Sequence, residues 1–166
     1  MNRLFSQRIN QLNIPTQNIQ ESENLTNEII ELYSKENNEV KYTVWLRKIQ
    51  STGKVVYSGI YTTCILPSGA TCMKAIFPLP KGNATVILKP IVGEKNELIL
   101  DSSGQKFGDA GFYFLLNDPK GNFWSQYIKS FTDKLIISEE DEYLKAKQIL
   151  RLWNLKVANF EYDMVK

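Results

Sequence analysis

The chain contains no histidine and only two cysteines, Cys64 and Cys72, which leaves carboxylates, tyrosines and amides as the side chains able to carry chemistry. Without His there is no Ser-His or Cys-His nucleophile activation, no ordinary general base near neutral pH and little nitrogen ligation of metals. Two cysteines are too few for a zinc site or a disulfide scaffold. Proton transfer would need a carboxylate such as Asp109 or Asp133 raised by burial, with Tyr113 or Tyr127 as the acid. No spacing singles these residues out. The run Ser138-Glu139-Glu140-Asp141-Glu142 offers four carboxylates but lacks the alternating ligands and turn Gly of a calcium loop, so it reads as a solvated connection. Asp101-Ser102-Ser103-Gly104-Gln105-Lys106 has the composition of an anion nest, with neither a following helix nor phosphate-loop spacing. These patterns predict no cofactor and no metal, and they rank catalysis behind binding.

The binding chemistry centres on Gln148. Leu144, Ala146, Leu150 and Leu152 alternate with Lys145, Lys147 and Arg151, and Ala158, Phe160, Tyr162 and Met164 alternate with Asn159, Glu161 and Asp163. Both stretches have the two-residue period of a half-buried strand, and Gln148 is the one polar residue in the apolar phase. A three-residue loop at Asn154-Leu155-Lys156 would set Leu152 opposite Ala158, Leu150 opposite Phe160, Gln148 beside Tyr162 and Lys147 across from Asp163. Such a register keeps the apolar and charged faces apart. A buried amide must find partners. Gln148 either bonds the Tyr162 hydroxyl or backbone within an ordinary core, or supplies a polar contact at the bottom of a ligand cavity. In the second case Phe112, Phe114, Tyr127, Leu150, Phe160 and Tyr162 would hold an apolar ligand that Gln148 orients.

The elements that must position these residues are punctuated by three triplets, Pro67-Ser68-Gly69, Pro80-Lys81-Gly82 and Pro119-Lys120-Gly121. Pro suits the first position of a type I turn and Gly the left-handed residue after it, so each fits a three-residue hairpin loop. The first pairs Leu66 with Ala70 and hence Cys64 with Cys72, expected as a pair of buried thiols. The third joins the most hydrophobic run, Ala110 to Leu116, to a strand from Phe123 to Ile137, with Leu116 near Trp124, Tyr113 near Tyr127 and Phe112 near Ile128. The apolar run reads as a central strand covered on both faces. Further strands are predicted over Lys41–Gln50, Val55–Leu66, Thr71–Leu79, Ala84–Val92 and Asn96–Asp101, with Gly59 marking a bulge or a close approach.

Before residue 40 the spacing is helical. Phe5, Ile9 and Leu12 suggest one short helix, and Leu25, Ile29, Leu32 and Tyr33 a second from about Ser22 to Glu36, with acidic residues near its start. The expected fold is therefore mainly β: a single domain over 1–166, with a helical segment over 1–38. Residues 40–166 form an antiparallel meander of about nine strands curled into a barrel or half-barrel.

Composition bounds the partners. Hydrophobic content is 43 % and net charge +2, with the charges mixed along the chain. That balance gives no electrostatic reason to expect nucleic acid or an anionic membrane. Met1 to Arg8 lacks a secretory core and no run reaches transmembrane length, so a cytoplasmic location is expected. Two function classes follow: a binder of an apolar or amphipathic small molecule, or an interaction module, in one form a homo-oligomer, with a filled core and no ligand.

Overall fold

A computed structural model describes residues 25–79, 81–140 and 143–165. Among them are eleven strands and no helix: β1 Leu25–Tyr33, β2 Val40–Ile49, β3 Val55–Ile65, β4 Thr71–Leu79, β5 Gly82–Val92, β6 Leu98–Asp101, β7 Gly111–Asn117, β8 Phe123–Tyr127, β9 Phe131–Glu140, β10 Tyr143–Leu152 and β11 Leu155–Val165. Hydrogen bonding orders them β1-β2-β3-β4-β5-β6-β9-β10-β11, with β7 branching from β5 and carrying β8. The end strands β1 and β11 are not paired with each other, so this antiparallel sheet is not closed into the expected barrel.

Two of the eleven strands account for the difference from the nine expected. The helix expected over 22–36 is instead β1, which pairs antiparallel with β2 from Leu25↔Ile49 to Tyr33↔Val40. Its helical spacing coexists with β-branched Thr26, Ile29 and Ile30, and the short Ser34–Glu39 connection brings a long strand alongside to satisfy its backbone. That connection closes through Ser34 N–H to Glu39 O at 2.8 Å, with Asn38 at φ 56°. The helix expected over 3–12 lies outside the described residues. The second extra strand arises because Phe123 to Ile137 is two strands, β8 and β9, interrupted at 128–130 and paired to different neighbours. Ser138, Glu139 and Glu140 end β9 and pair with Lys145, Leu144 and Tyr143, rather than forming a loop; Asp141 and Glu142 lie outside the described residues.

The chain divides into two compact units, with the cuts falling inside β3, β4 and β5. The first contains the described residues up to Thr62 together with Ile76–Asn83. Here Trp45 lies opposite Gly59 on β3, between Tyr57 and Tyr61. A Cβ at Gly59 would come within 3.0 Å of both tyrosine side chains, which makes this glycine a close approach and not a bulge. The ladder shift falls instead between Arg47 and Lys48. Arg47 stacks 5.2 Å from the Trp45 ring and 5.6 Å from that of Tyr57, and both Arg47 and Trp45 donate to Asn27 Oδ1.

The second unit holds Thr63–Ala75 and the chain from Ala84 onward. All the buried hydrophobic side chains among the described residues fall here, including Val86, Leu88, Leu100, Ala110, Tyr113 and Ala146. Two turns follow their residue chemistry. Leu66 N–H bonds Ala70 O at 2.9 Å around Gly69 at φ 84°. β7 and β8 pair in the expected register, Tyr113↔Tyr127 and Leu116↔Trp124, around Gly121 at φ 82°. Cys64 and Cys72 are free thiols, the second buried and the first half-buried.

The C-terminal hairpin departs from expectation in its loop. Leu152 pairs with Leu155 across Trp153 and Asn154, both at positive φ as a two-residue type I′ turn requires. Val157 is then an extra residue, bulged between the Arg151↔Lys156 and Leu150↔Ala158 pairs. The bulge restores the pleat parity that burial demands, so Gln148 lies opposite Phe160, Ala146 opposite Tyr162 and Lys147 opposite Glu161. Relative to the expected pairing the strand has slipped by two residues, and every side chain keeps its face.

Candidate functional site

The registers of the second unit align one row of side chains across five strands. Pro90 on β5 pairs with Leu100 on β6, Leu100 with Leu135 on β9, Leu135 with Gln148 on β10, and Gln148 with Phe160 on β11. The neighbouring rows on this face carry Leu98, Ile137, Ala146 and Tyr162 on one side, and Asp133, Leu150 and Ala158 on the other. Period-two alternation on each strand sends Lys145, Lys147, Glu161 and Asp163 to the opposite face, together with Ile99, Ile136 and Ile149.

Three polar side chains run through this apolar face. Gln148 Nε2 donates to Asp133 Oδ2 at 2.8 Å, and the Tyr162 hydroxyl donates to Gln148 Oε1 at 3.4 Å. The amide is thus satisfied at both ends. Asp133 is only 8 % exposed, and its Oδ1 is buried without a hydrogen-bond partner. Its backbone is fixed by Ser102, itself fully buried: Ser102 N–H donates to Asp133 O at 2.9 Å, and Asp133 N–H donates to Ser102 Oγ at 2.7 Å. Burial pushes the Asp133 carboxyl up to about 6 and the Asp101 charge adds to the rise, while the Gln148 hydrogen bond opposes it. The result is a desolvated carboxylate with one oxygen held by the Gln148 amide and the other buried without a donor.

The expected binding residues separate by face. Gln148, Leu150, Phe160 and Tyr162 share the apolar face, with Phe160 and Tyr162 stacked at 6.3 Å. Phe112 reaches the same region through its ring contact with Phe131 at 4.9 Å, and Phe114 packs against Phe112 at 5.3 Å. Tyr127 belongs elsewhere. It pairs with Tyr113 on the other face of β7–β8, 5.1 Å ring to ring, and donates to Gly104 O at 2.6 Å. The Tyr113 hydroxyl donates to Asp109 O and accepts from Gly108 N–H. Together these tyrosines tie down the loop after β6, and a Cβ on Gly111 would lie 2.3 Å from the Tyr127 ring. The loop predicted as a weak anion nest is instead braced internally, Asp109 accepting from the Gln105 and Lys106 N–H groups.

Asp133 was legible only as one carboxylate among many. The signal was its place in the apolar phase of Phe131, Asp133, Leu135 and Ile137, the same anomaly that marks Gln148. The partner of the Asp133 carboxylate is an amide, which does not ionise near neutral pH. Burial also raises the Tyr113 and Tyr127 hydroxyls, which are committed to the backbone and not to Asp133. Burial likewise raises both thiols and makes them poor nucleophiles. Among the described residues no three His, Cys, Asp or Glu side chains converge on a metal position, and no helix is long and apolar enough to cross a membrane. Comparison with protein-family models, with curated proteins and with solved structures gives no match, so every functional statement about this chain rests on its own residues.

Proposed function

We propose that this protein is a non-catalytic binder of an amphipathic small molecule, which lays its apolar body on the Leu135–Gln148–Phe160 face and directs a hydrogen-bond donor at Asp133. One observation carries the reading: a buried carboxylate oxygen without a partner, set in an apolar face beside an amide that fixes the other oxygen. Leaving such an acceptor unpaired costs on the order of 1–3 kcal/mol, more for a charged group, and a ligand donor would recover part of it. Leu150, Phe160, Tyr162 and Phe112 supply apolar surface around the polar group, the usual division of labour in small-molecule sites.

The test is titration calorimetry with decylamine, a donor-headed chain, against decanoate, whose headgroup Asp133 would repel. Decylamine should bind in preference to decanoate near neutral pH. Gln148→Leu should weaken decylamine by about tenfold, the equivalent of ~1.4 kcal/mol, with an unchanged circular dichroism spectrum. Equal binding of the two chains, or an unchanged affinity in Gln148→Leu, would remove this face from consideration.

A further inference from the structure

From a different region of the second unit we infer that β8 is the dimerisation edge of this protein and that its occupant is β8 of a second copy. Among the described residues the only strand that β8 pairs with is β7. The bonds from Ile128 N–H to Phe112 O and from Asp118 N–H to Asn122 O put the even-numbered residues of β8 in register to bond β7. By the alternation of an antiparallel ladder, the N–H and C=O groups of Phe123, Ser125 and Tyr127 point away from β7, along the free edge. Four of its five side chains are exposed, Phe123 at 86 % and Trp124 at 64 %, while Tyr127 is half-buried against Tyr113.

Charge selects the occupant. The strands that end the hydrogen-bonded path carry the charges that ordinarily blunt an edge, Glu28 and Glu31 on β1 and Lys156, Glu161 and Asp163 on β11. The β8 sequence Phe-Trp-Ser-Gln-Tyr has none. It is also self-complementary about its centre. A twofold axis at Ser125 pairs Ser125 with its own copy and Phe123 with Tyr127, using the three residues whose backbone faces outward. The register sets an aromatic against an aromatic and opposes no like charges. Trp124 falls opposite Gln126. Five residues a side bury less than a standard stable interface, so the dimer should be weak, with a Kd on the order of 10–100 micromolar. Because the contact is isologous it closes at two copies.

Sedimentation velocity on the full chain, over a concentration series spanning that range, tests the inference. Wild type should pass from monomer to dimer. Ser125→Lys and Ser125→Asp each place like charges face to face on the axis and should abolish the concentration dependence, with circular dichroism unchanged. An equimolar mixture of the two variants places opposite charges there and should recover the dimer. A wild type that stays monomeric, one that grows beyond two copies, single variants that dimerise as wild type does, or a mixture that stays monomeric would each overturn it.

Discussion

Asp133 shows how one side chain can make the whole protein sensitive to pH. Its carboxyl is raised from 3.8 to about 6 in the folded state, first by burial, so between those values the native protein holds a proton that the unfolded chain has lost. Stability therefore falls as pH rises through that window, by up to about 3 kcal/mol for a shift of this size, and the loss is complete above the folded value. Asp133→Asn keeps an acceptor for the Gln148 amide and removes the ionisation. Urea denaturation should find this variant more stable than wild type near pH 7 and free of the decline in stability that wild type shows between about pH 4 and 6. A wild-type stability that is flat or rises across that interval would contradict the assignment. Gln148 was legible at this scale because a polar residue in an apolar phase must be either satisfied or functional. Its donation to Asp133 was not legible, since the sequence does not say which strand lies alongside.

At the level of elements, local turn chemistry set some pairings and pleat parity others. The β7–β8 register followed from Pro119-Lys120-Gly121, where Asp118 receives the Lys120 and Asn122 N–H groups and Gly121 takes the left-handed position. The β10–β11 turn was misjudged because Trp153 carries no turn signature, yet it adopts φ 48° beside Asn154 at φ 66°. The faces were nevertheless right, because the bulge at Val157 makes up the odd residue. That gives a sharp expectation. Deleting Val157, which is 50 % exposed, removes the bulge and leaves Gln148 opposite Phe160, so it should change stability by no more than about 1 kcal/mol. Deleting Ile149 shifts the rest of β10 by one residue against both neighbours and turns its apolar side outward, and should cost several kcal/mol or prevent folding. Denaturant midpoints of the two deletions check the contrast; similar losses would mean that parity is not what holds the hairpin in register. The missed strand β1 is the complementary lesson. Its apolar residues fit a helical stripe, and its state was decided by the partner strand that the Ser34–Glu39 connection delivers.

Across the whole molecule, burial is uneven. Among the described residues the buried hydrophobic side chains lie in the second unit, whereas Ile29, Ile30, Leu32, Tyr33 and Val40 of the first remain exposed. Amide hydrogen exchange should therefore show β5, β6, β9 and β10 opening only near the global unfolding free energy, and β1 and β2 exchanging at least about tenfold faster. Equal protection in β1–β2 would mean that their stability does not come from the buried core. The sequence alone determined the β character, the antiparallel hairpins and the segregation of faces on the C-terminal strands, because each is written in turn residues and period-two alternation within a few positions of one another. The tertiary structure decided which strands meet across long separations, as when β6 joins β9 and β7 branches from β5, and whether the ends of the sheet join. Those outcomes turn on the competition of many strands for the same backbone groups and buried area. Strands apolar on both sides enter that competition with no mark of their partner.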